Sequence, residues 1–275
     1  MSLRLKIGEL EVNRLGFGAM RVIDNEDIWG EPRDRANSLK VLRRAVELGV
    51  NFFDTAESYG PQTNETLIAE ALHPYPRGFV VATKGGLARP SRGRWDPDCR
   101  PEKLRKDLEG SLKRLRLERI DLYQLHTVDP KVPLETSVGA LADLQREGKV
   151  RHVGLSNVSV KQLEQARRIV PIVSVQNRYS LADRSSEDVL VHCEKHGIAF
   201  LPWYPLGDGT ALQKKKVIAL AKKIGATPAQ VAIAWLLKKS PVMLPIPGTG
   251  KVAHLEENVA AAKLRLEDAD FRLLD

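Results

Sequence analysis

The chain has 275 residues, 43% of them apolar and 28% charged, which excludes disordered and collagen-like classes and leaves room for one large core. The net charge of +8 is spread over helical patterns such as EKLRKDLEGSLKRLR, where leucine and acidic residues interrupt it, and aromatic residues make up only 5%; a solvated surface explains this better than a nucleic-acid interface. No run of about 18 apolar residues is present to span a bilayer, MSLRLKIGELEV lacks a secretory apolar core, and Cys99 and Cys193 form neither a disulfide framework nor a metal-ligand spacing, so the expectation is a cytoplasmic protein with reduced thiols, no metal and no nucleic-acid or membrane partner.

In chain order, LKIGELEV predicts a small hairpin around Gly8 and Glu9 that could plug one end of a barrel. From residue 15 onward short apolar runs alternate with amphipathic patterns, as in βα units around a parallel sheet. The expected strands are LGFG (15–18), NFF (51–53), FVVAT (79–83), IDLYQL (120–125), VRHVGLS (150–156), IVSVQ (172–176), AFLPW (199–203) and VMLPI (242–246). Between them, Leu39, Leu42, Val46 and Leu48 follow a helical period that Gly49 ends, and Pro101 and Pro133 each open a helix. Ser159 with Gln162 and Thr227 with Gln230 read as capping boxes, and Gly148, Gly197 and Gly225 close further helices. Eight βα periods in a chain of this length predict an α/β fold, a (β/α)8 TIM barrel with the N-terminal β-hairpin closing its bottom, formed by residues 1–275 as a single domain. Two long connections, 19–34 and 85–99, would overhang the carboxyl ends of the strands.

Asp54, Lys84, His126 and Asn177 each end an apolar strand on that same side, where a barrel brings different strand ends together. Taken singly each has a plain structural explanation, as a turn cap, a loop lysine or a core histidine. Together with Tyr59 they could form acid–base machinery. A neighbouring ammonium would lower the tyrosine pKa, Asp54 would keep Lys84 charged, Tyr59 could then give or take a proton, and His126 could hold a carbonyl oxygen. No GxSxG, HExxH, Walker or GxGxxG motif is present. Unless Lys84 forms a Schiff base, the redox chemistry would come from a bound cofactor.

These residues, in NFFDTAESYG, VVATKGG and DLYQLH, resemble the aldo-keto reductase superfamily, as do GLSNVS, SVQNRYS, PWYPLGDG and IPGTGKVAHLEENVAA, over nearly the whole chain. The resemblance implies a barrel binding NADPH, ahead of NADH, and reducing a small-molecule carbonyl. Asp54, Tyr59, Lys84 and His126 would be the catalytic tetrad. Ser156, Asn157 and Gln176 would hold the nicotinamide carboxamide, Trp203 would stack on the nicotinamide, and Leu206 and Gly207 would line the pyrophosphate path. Gly248, Thr249, Lys251 and His254 would lie at the 2′-phosphate, with glycine and histidine where many relatives carry lysine and arginine, and Glu257 and Asn258 would reach adenine. VNRLGFGAM, GEPRDR and PIPGTGKVAHLEEN are similar to bacterial members of the pyridoxine 4-dehydrogenase or pyridoxal reductase kind. Trp29 and Trp95 are candidates for substrate contact, and Arg89, Arg92 and Arg94 read equally as a receptor for an anionic substrate or as a solvated basic loop; the stop at Asp275 suggests an open pocket, and a monomer is compatible with the sequence. The competing expectation is a cofactor-binding regulatory subunit with little turnover, like the β-subunits of potassium channels.

Overall fold

The computed structural model describes residues 4–207 and 209–275. It begins with an antiparallel hairpin, β1 (Arg4–Ile7) and β2 (Leu10–Asn13), in which Ile7 faces Leu10. Gly8 turns it at φ +59°, and a Cβ there would lie 2.4 Å from the His152 ring, so glycine is needed on two grounds.

The strands β3 (Phe17–Gly18), β4 (Phe52–Asp54) and β5 (Val80–Gly85) follow, then a short ribbon of β6 (Leu87–Ala88) and β7 (Asp96–Pro97) inside the second long connection. Next come β8 (Ile120–Leu125), β9 (Val150–Ser156), β10 (Ile172–Gln176) and β11 (Ala199–Phe200). Apart from the ribbon, β3 to β11 form one seven-stranded parallel sheet in chain order. The helices α1 (Arg35–Glu47), α2 (Thr63–Leu72), α3 (Pro101–Leu115), α4 (Leu134–Arg146), α5 (Val160–Arg167) and α6 (Glu187–His196) connect successive strands. α7 (Lys215–Ile224), α8 (Pro228–Lys239), α9 (Val252–Ala260) and α10 (Asp268–Leu274) follow β11.

Local chemistry sets these boundaries. Both capping boxes are present in both directions, and Pro101 opens α3. Gly197 and Gly225 end α6 and α7 in the left-handed conformation. Pro133 stands one position outside its helix, as the N-cap of α4. The fully buried face of α1 is Ser38, Val41, Leu42 and Ala45, and the expected Leu39, Val46 and Leu48 pack half-buried against the same core; Asp34 caps the helix at Asn37, and the Ser38 hydroxyl donates to the Val22 carbonyl at 2.7 Å.

The eighth expected strand differs. Residues 242–246 form one parallel bridge, Phe200 with Met243, and no ladder. Pro241, Pro245 and Pro247 remove the amide donors that a continuous ladder would use. Three bonds remain: Phe200 N–H to Val242 O at 2.9 Å, Leu244 N–H to Phe200 O at 2.8 Å, and Gly16 N–H to Pro245 O at 2.9 Å. The segment therefore touches β11 on one side and the approach to β3 on the other. Gly18 and Gly248 meet there backbone to backbone: a Cβ on Gly248 would stand 2.4 Å from Gly18 O, and one on Gly18 2.6 Å from Ile246 O. Neither carbonyl can swing away as a side chain would. Gly248→Ala should therefore cost about 1–3 kcal/mol as overpacking, read as a lower urea midpoint; an unchanged midpoint would show that the contact yields freely.

Strand periodicity separates the two faces of the sheet. Phe53, Val81, Tyr123, Leu125, Val153, Leu155 and Val175 join the helices in the larger core. Phe52, Val80, Ala82 and Leu122 face the other way and pack with Ile7, Leu10 and Val12 of the hairpin. The same alternation puts Asp54, Lys84 and Gln124 on that second face, two residues beyond Phe52, Ala82 and Leu122. Among the described residues no single helix is long and apolar enough to cross a membrane; α7 with α8 passes only as a pair bent by 92°.

Candidate active site

Asp54 and Lys84 end one face of adjacent strands, and the sheet makes them partners. Lys84 Nζ donates to Asp54 Oδ2 at 2.7 Å, to the Thr55 carbonyl at 2.8 Å and to Tyr59 Oη at 3.4 Å. An ammonium has three donors, so every one is used. Its side chain is 0% exposed. Asp54 Oδ1 accepts from Gln176 Nε2 at 2.8 Å and Gln124 Nε2 at 3.2 Å, two further contributions from the same face. The loop after β4 is stitched to β5 by Thr55 N–H to Ala82 O and Glu57 N–H to Lys84 O, which sets Tyr59 above the lysine.

These charges order the protonation states. Burial penalises the Lys84 cation, but Asp54 and Tyr59 outweigh it and hold its pKa above the ordinary value. Burial is also the largest influence on Tyr59; Lys84 lowers its pKa, Asp54 raises it, and the phenol ends above its usual range. This corrects the expectation of a phenol made more acidic: Lys84 only moderates the effect of burial. His126 is pushed well below the usual imidazole value by burial and then by Lys84, so the ring is neutral. It stands edge-on to Tyr59 at a centroid distance of 5.7 Å, and Ser58 Oγ lies 3.3 Å from its Nδ1. An unfolded histidine takes up its proton near pH 6.5, before the folded one does, so stability falls as pH drops below that value. In urea unfolding from pH 7.5 to 5.5, His126→Gln should lose less stability than wild type; equal losses would contradict a neutral His126.

Asp54, Tyr59 and His126 border a cavity of about 980 Å³ at the carboxyl ends of the strands, and Lys84 lies behind its wall. A lysine so enclosed and fully hydrogen-bonded is unsuited to Schiff-base chemistry. Ser156, Asn157, Gln176, Trp203, Leu206, Gly207 and Gly248 also border this cavity. Asn157, at φ +58°, donates to the His126 carbonyl and to Ser156 Oγ and accepts from the Trp203 indole at 2.9 Å. Its amide is thereby committed to holding the site together. Ser156 and Gln176 are paired across β9 and β10; the Ser156 hydroxyl proton and Gln176 Oε1 have no partner among the described residues. Asn177 is a structural tie, exchanging bonds with the Val158 amide and carbonyl.

The remaining expected cofactor residues lie beyond the cavity lining. Thr249 Oγ1 accepts from Lys251 N–H at the start of α9, where Lys251 is the N-cap, and His254 is exposed in the first turn. Glu257 accepts from the Thr227 hydroxyl at 2.5 Å and, through its carbonyl, from Gln230, linking α9 to the cap of α8; Asn258 is buried.

The two tryptophans part company. Trp95 borders the cavity and meets the Tyr59 ring at 6.4 Å, whereas Trp29 does not line it. Trp29 bridges to Gly60 and lies 5.3 Å from the Arg89 guanidinium, which is also 3.6 Å from the Trp95 ring. Arg89 is buried and donates to the carbonyls of Asp27, Ile28, Ser58 and Arg94, so it clamps the two long loops together. Arg92 pairs with Asp27 and Arg94 with Asp96. None of the three is left as a ready anion receptor. The sequence reading missed Gln124 as a support of Asp54, Ser58 beside His126, and Met20, Arg21, Thr127 and Tyr204 in the cavity wall. Their only signal was adjacency to a strand end or a long loop.

A family model described as the aldo/keto reductase family matches residues 14–275. An uncharacterized oxidoreductase of Schizosaccharomyces pombe is 47% identical over 98% of this chain and 88% of its own. Pyridoxine 4-dehydrogenase of Escherichia coli is 42% identical over 98% and 96%. A thermostable aldo-keto reductase solved with the inhibitor epalrestat superposes with a TM-score of 0.88 at 31% identity, covering 100% of this chain and 99% of that one. An aldo/keto reductase from Klebsiella pneumoniae solved with NADP and acetate gives 0.83 at 26%, covering 100% and 95%.

Proposed function

Because this chain belongs to the aldo/keto reductase family and is an NAD(P)H-dependent oxidoreductase, we propose that it reduces an aldehyde or ketone reversibly to the alcohol, with NADPH favoured over NADH. The observation that carries this reading is the direction of the bond between Lys84 and Tyr59. An ammonium only donates, so Tyr59 Oη accepts from it and keeps its own proton for an atom in the cavity.

When bound, the nicotinamide cofactor supplies the hydride. The unspent Ser156 hydroxyl proton and Gln176 Oε1 offer one donor and one acceptor, the complement of a primary carboxamide, and the Trp203 indole adds an aromatic face. With its Nδ1 facing Ser58 Oγ, neutral His126 can present Nε2–H to a carbonyl oxygen and fix its position beside Tyr59. Tyr59 then gives its proton to that oxygen, and in the reverse direction takes it back. A phenol raised above its usual pKa still yields its proton to an alkoxide, a far stronger base. Lys84 remains charged throughout and stabilises the phenolate left behind, while Asp54, fixed by two glutamines, holds Lys84 in place.

The same reading closes the sheet into the eight-membered barrel of a single domain: the 242–246 segment completes the ring and the hairpin covers its amino end, supported by the bonds to β11 and Gly16 and by the shared apolar cluster. The substrate we assign is pyridoxal or another aromatic or small aldehyde, in a cytoplasmic setting. The name of the 42% identical relative and the aromatic wall of Trp95, Trp203 and Tyr204 support this. For the 2′-phosphate, Lys251, His254 and the amides opening α9 are the candidates. A carbonyl panel including pyridoxal, followed by cofactor absorbance in the near ultraviolet, should give a higher kcat/KM with NADPH than with NADH. The reverse ratio would overturn the cofactor assignment, and no turnover on any carbonyl would overturn the activity.

A further inference from the structure

A second cavity, of about 550 Å³, lies toward the opposite end of the sheet. Its walls include the residues that precede β3 and β4 and the carboxyl end of α8, and it shares no lining residue with the cavity at Tyr59. Leu15, Leu48, Val50, Leu237, Leu264 and Leu266 make it largely apolar. Arg14 is set among them, only 7% exposed.

Arg14 donates through Nη2 to the carbonyls of Leu237 at 2.8 Å and Ser240 at 2.7 Å. Those carbonyls belong to the end of α8, so this nitrogen caps a helix. Capping leaves the rest of the group unexplained. Nε is buried with no partner, Nη1 has none among the described residues, and no carboxylate pairs with the cation. Burial pushes the guanidinium below its ordinary pKa with nothing opposing it. A buried cation without a counter-charge is costly, and an anion drawn into the cavity would offset that cost. The mouth favours one: Lys263 and Arg265 are exposed and unpaired among the described residues, while Asp268 is neutralised by Lys238 at 2.6 Å. Among the described lining residues Glu267 alone opposes them.

We propose that this cavity binds an amphipathic carboxylate, a small acid with an apolar body, its head drawn to Arg14 and its body against the leucine walls. The volume suits a small ligand. This site is independent of the carbonyl chemistry.

Calorimetric titration of the full chain with decanoate, and with decanol as the uncharged probe of equal length, tests it. One decanoate should bind per chain, at least tenfold more tightly than decanol. Arg14→Gln should weaken decanoate at least tenfold; Ala262→Trp, which fills the cavity and keeps the arginine, should abolish binding; Trp203→Ala, in the other cavity, should leave it unchanged. If Arg14→Gln does not fold, the decanol comparison and Ala262→Trp decide. The proposal is overturned if decanoate does not bind, if decanol binds as well, or if binding survives Ala262→Trp and is lost in Trp203→Ala.

Discussion

Tyr59→Phe is expected to lower kcat for carbonyl reduction by about 10²–10⁴-fold, the range that a positioned general acid contributes, with the affinity for NADPH nearly unchanged. The substitution removes one oxygen. Among the described residues that oxygen's one protein hydrogen bond is the 3.4 Å contact from Lys84, so the fold loses little. Lys84 keeps its bonds to Asp54 and Thr55 and stays charged, and the aromatic ring remains against His126 and Trp95. What disappears is the proton that Lys84 cannot supply in its place, because it is held behind the cavity wall. Stopped-flow turnover and cofactor fluorescence titration separate the two effects. Wild-type kcat in this variant would remove Tyr59 from the chemistry, and a matching loss of cofactor affinity would make it a binding residue.

Lys84→Met should be the most damaging single change in the site, for stability as well as rate. It leaves the Asp54 carboxylate buried with two amide donors and no counter-charge, an arrangement that costs about 3–5 kcal/mol when one partner of a buried pair is removed. Lys84→Met with Asp54→Leu removes both charges and should be more stable than the single variant, since a buried pair is often replaceable by apolar residues of similar size, though the Gln124 and Gln176 amides and the Thr55 carbonyl lose their partners. Turnover should stay lost in the double variant, because the phenolate would have no cation beside it. Denaturant unfolding and kcat measured on the same three proteins distinguish these outcomes. A single variant as stable and active as wild type would refute the account of the pair. The pH sign follows from the raised folded pKa of Lys84. Its contribution is complete below the ordinary lysine value of about 10.4 and is lost as pH rises through the higher folded value.

The parts of this structure that were legible in the sequence are those governed by local rules. The apolar runs that lead into Asp54 and Lys84 put both at the carboxyl ends of neighbouring strands, and the capping boxes at Ser159 and Thr227 lie where the side-chain spacing put them. Residues 242–246 read as a strand from their apolar run, but Pro241, Pro245 and Pro247 withhold the donors of a ladder, a cost visible only when its bonds are counted. Asn177 ended a strand as Asp54 did, yet its amide ties down the Val158 backbone; strand position alone could not separate the two roles. The long loops have no period to read. Arg89 therefore looked like a substrate cation, and only the fold brings the Asp27, Ile28 and Ser58 carbonyls and two indole rings around it. Tyr59 shows the same limit in electrostatics: its lysine neighbour was foreseeable, but the burial that outweighs it depends on packing from several elements.

A site that moves a hydride and a proton onto a carbonyl group leaves an isotopic record in the alcohol. The most direct test is mass spectrometry of the product formed from an aldehyde and NADPH deuterated at the transferring nicotinamide position. The expected product is an alcohol carrying one deuterium at the carbinol carbon, formed in step with cofactor oxidation by wild type and at a rate reduced by orders of magnitude in Tyr59→Phe. Tight NADPH binding with no labelled alcohol from any aldehyde, or label entering that carbon from deuterated water, would contradict it.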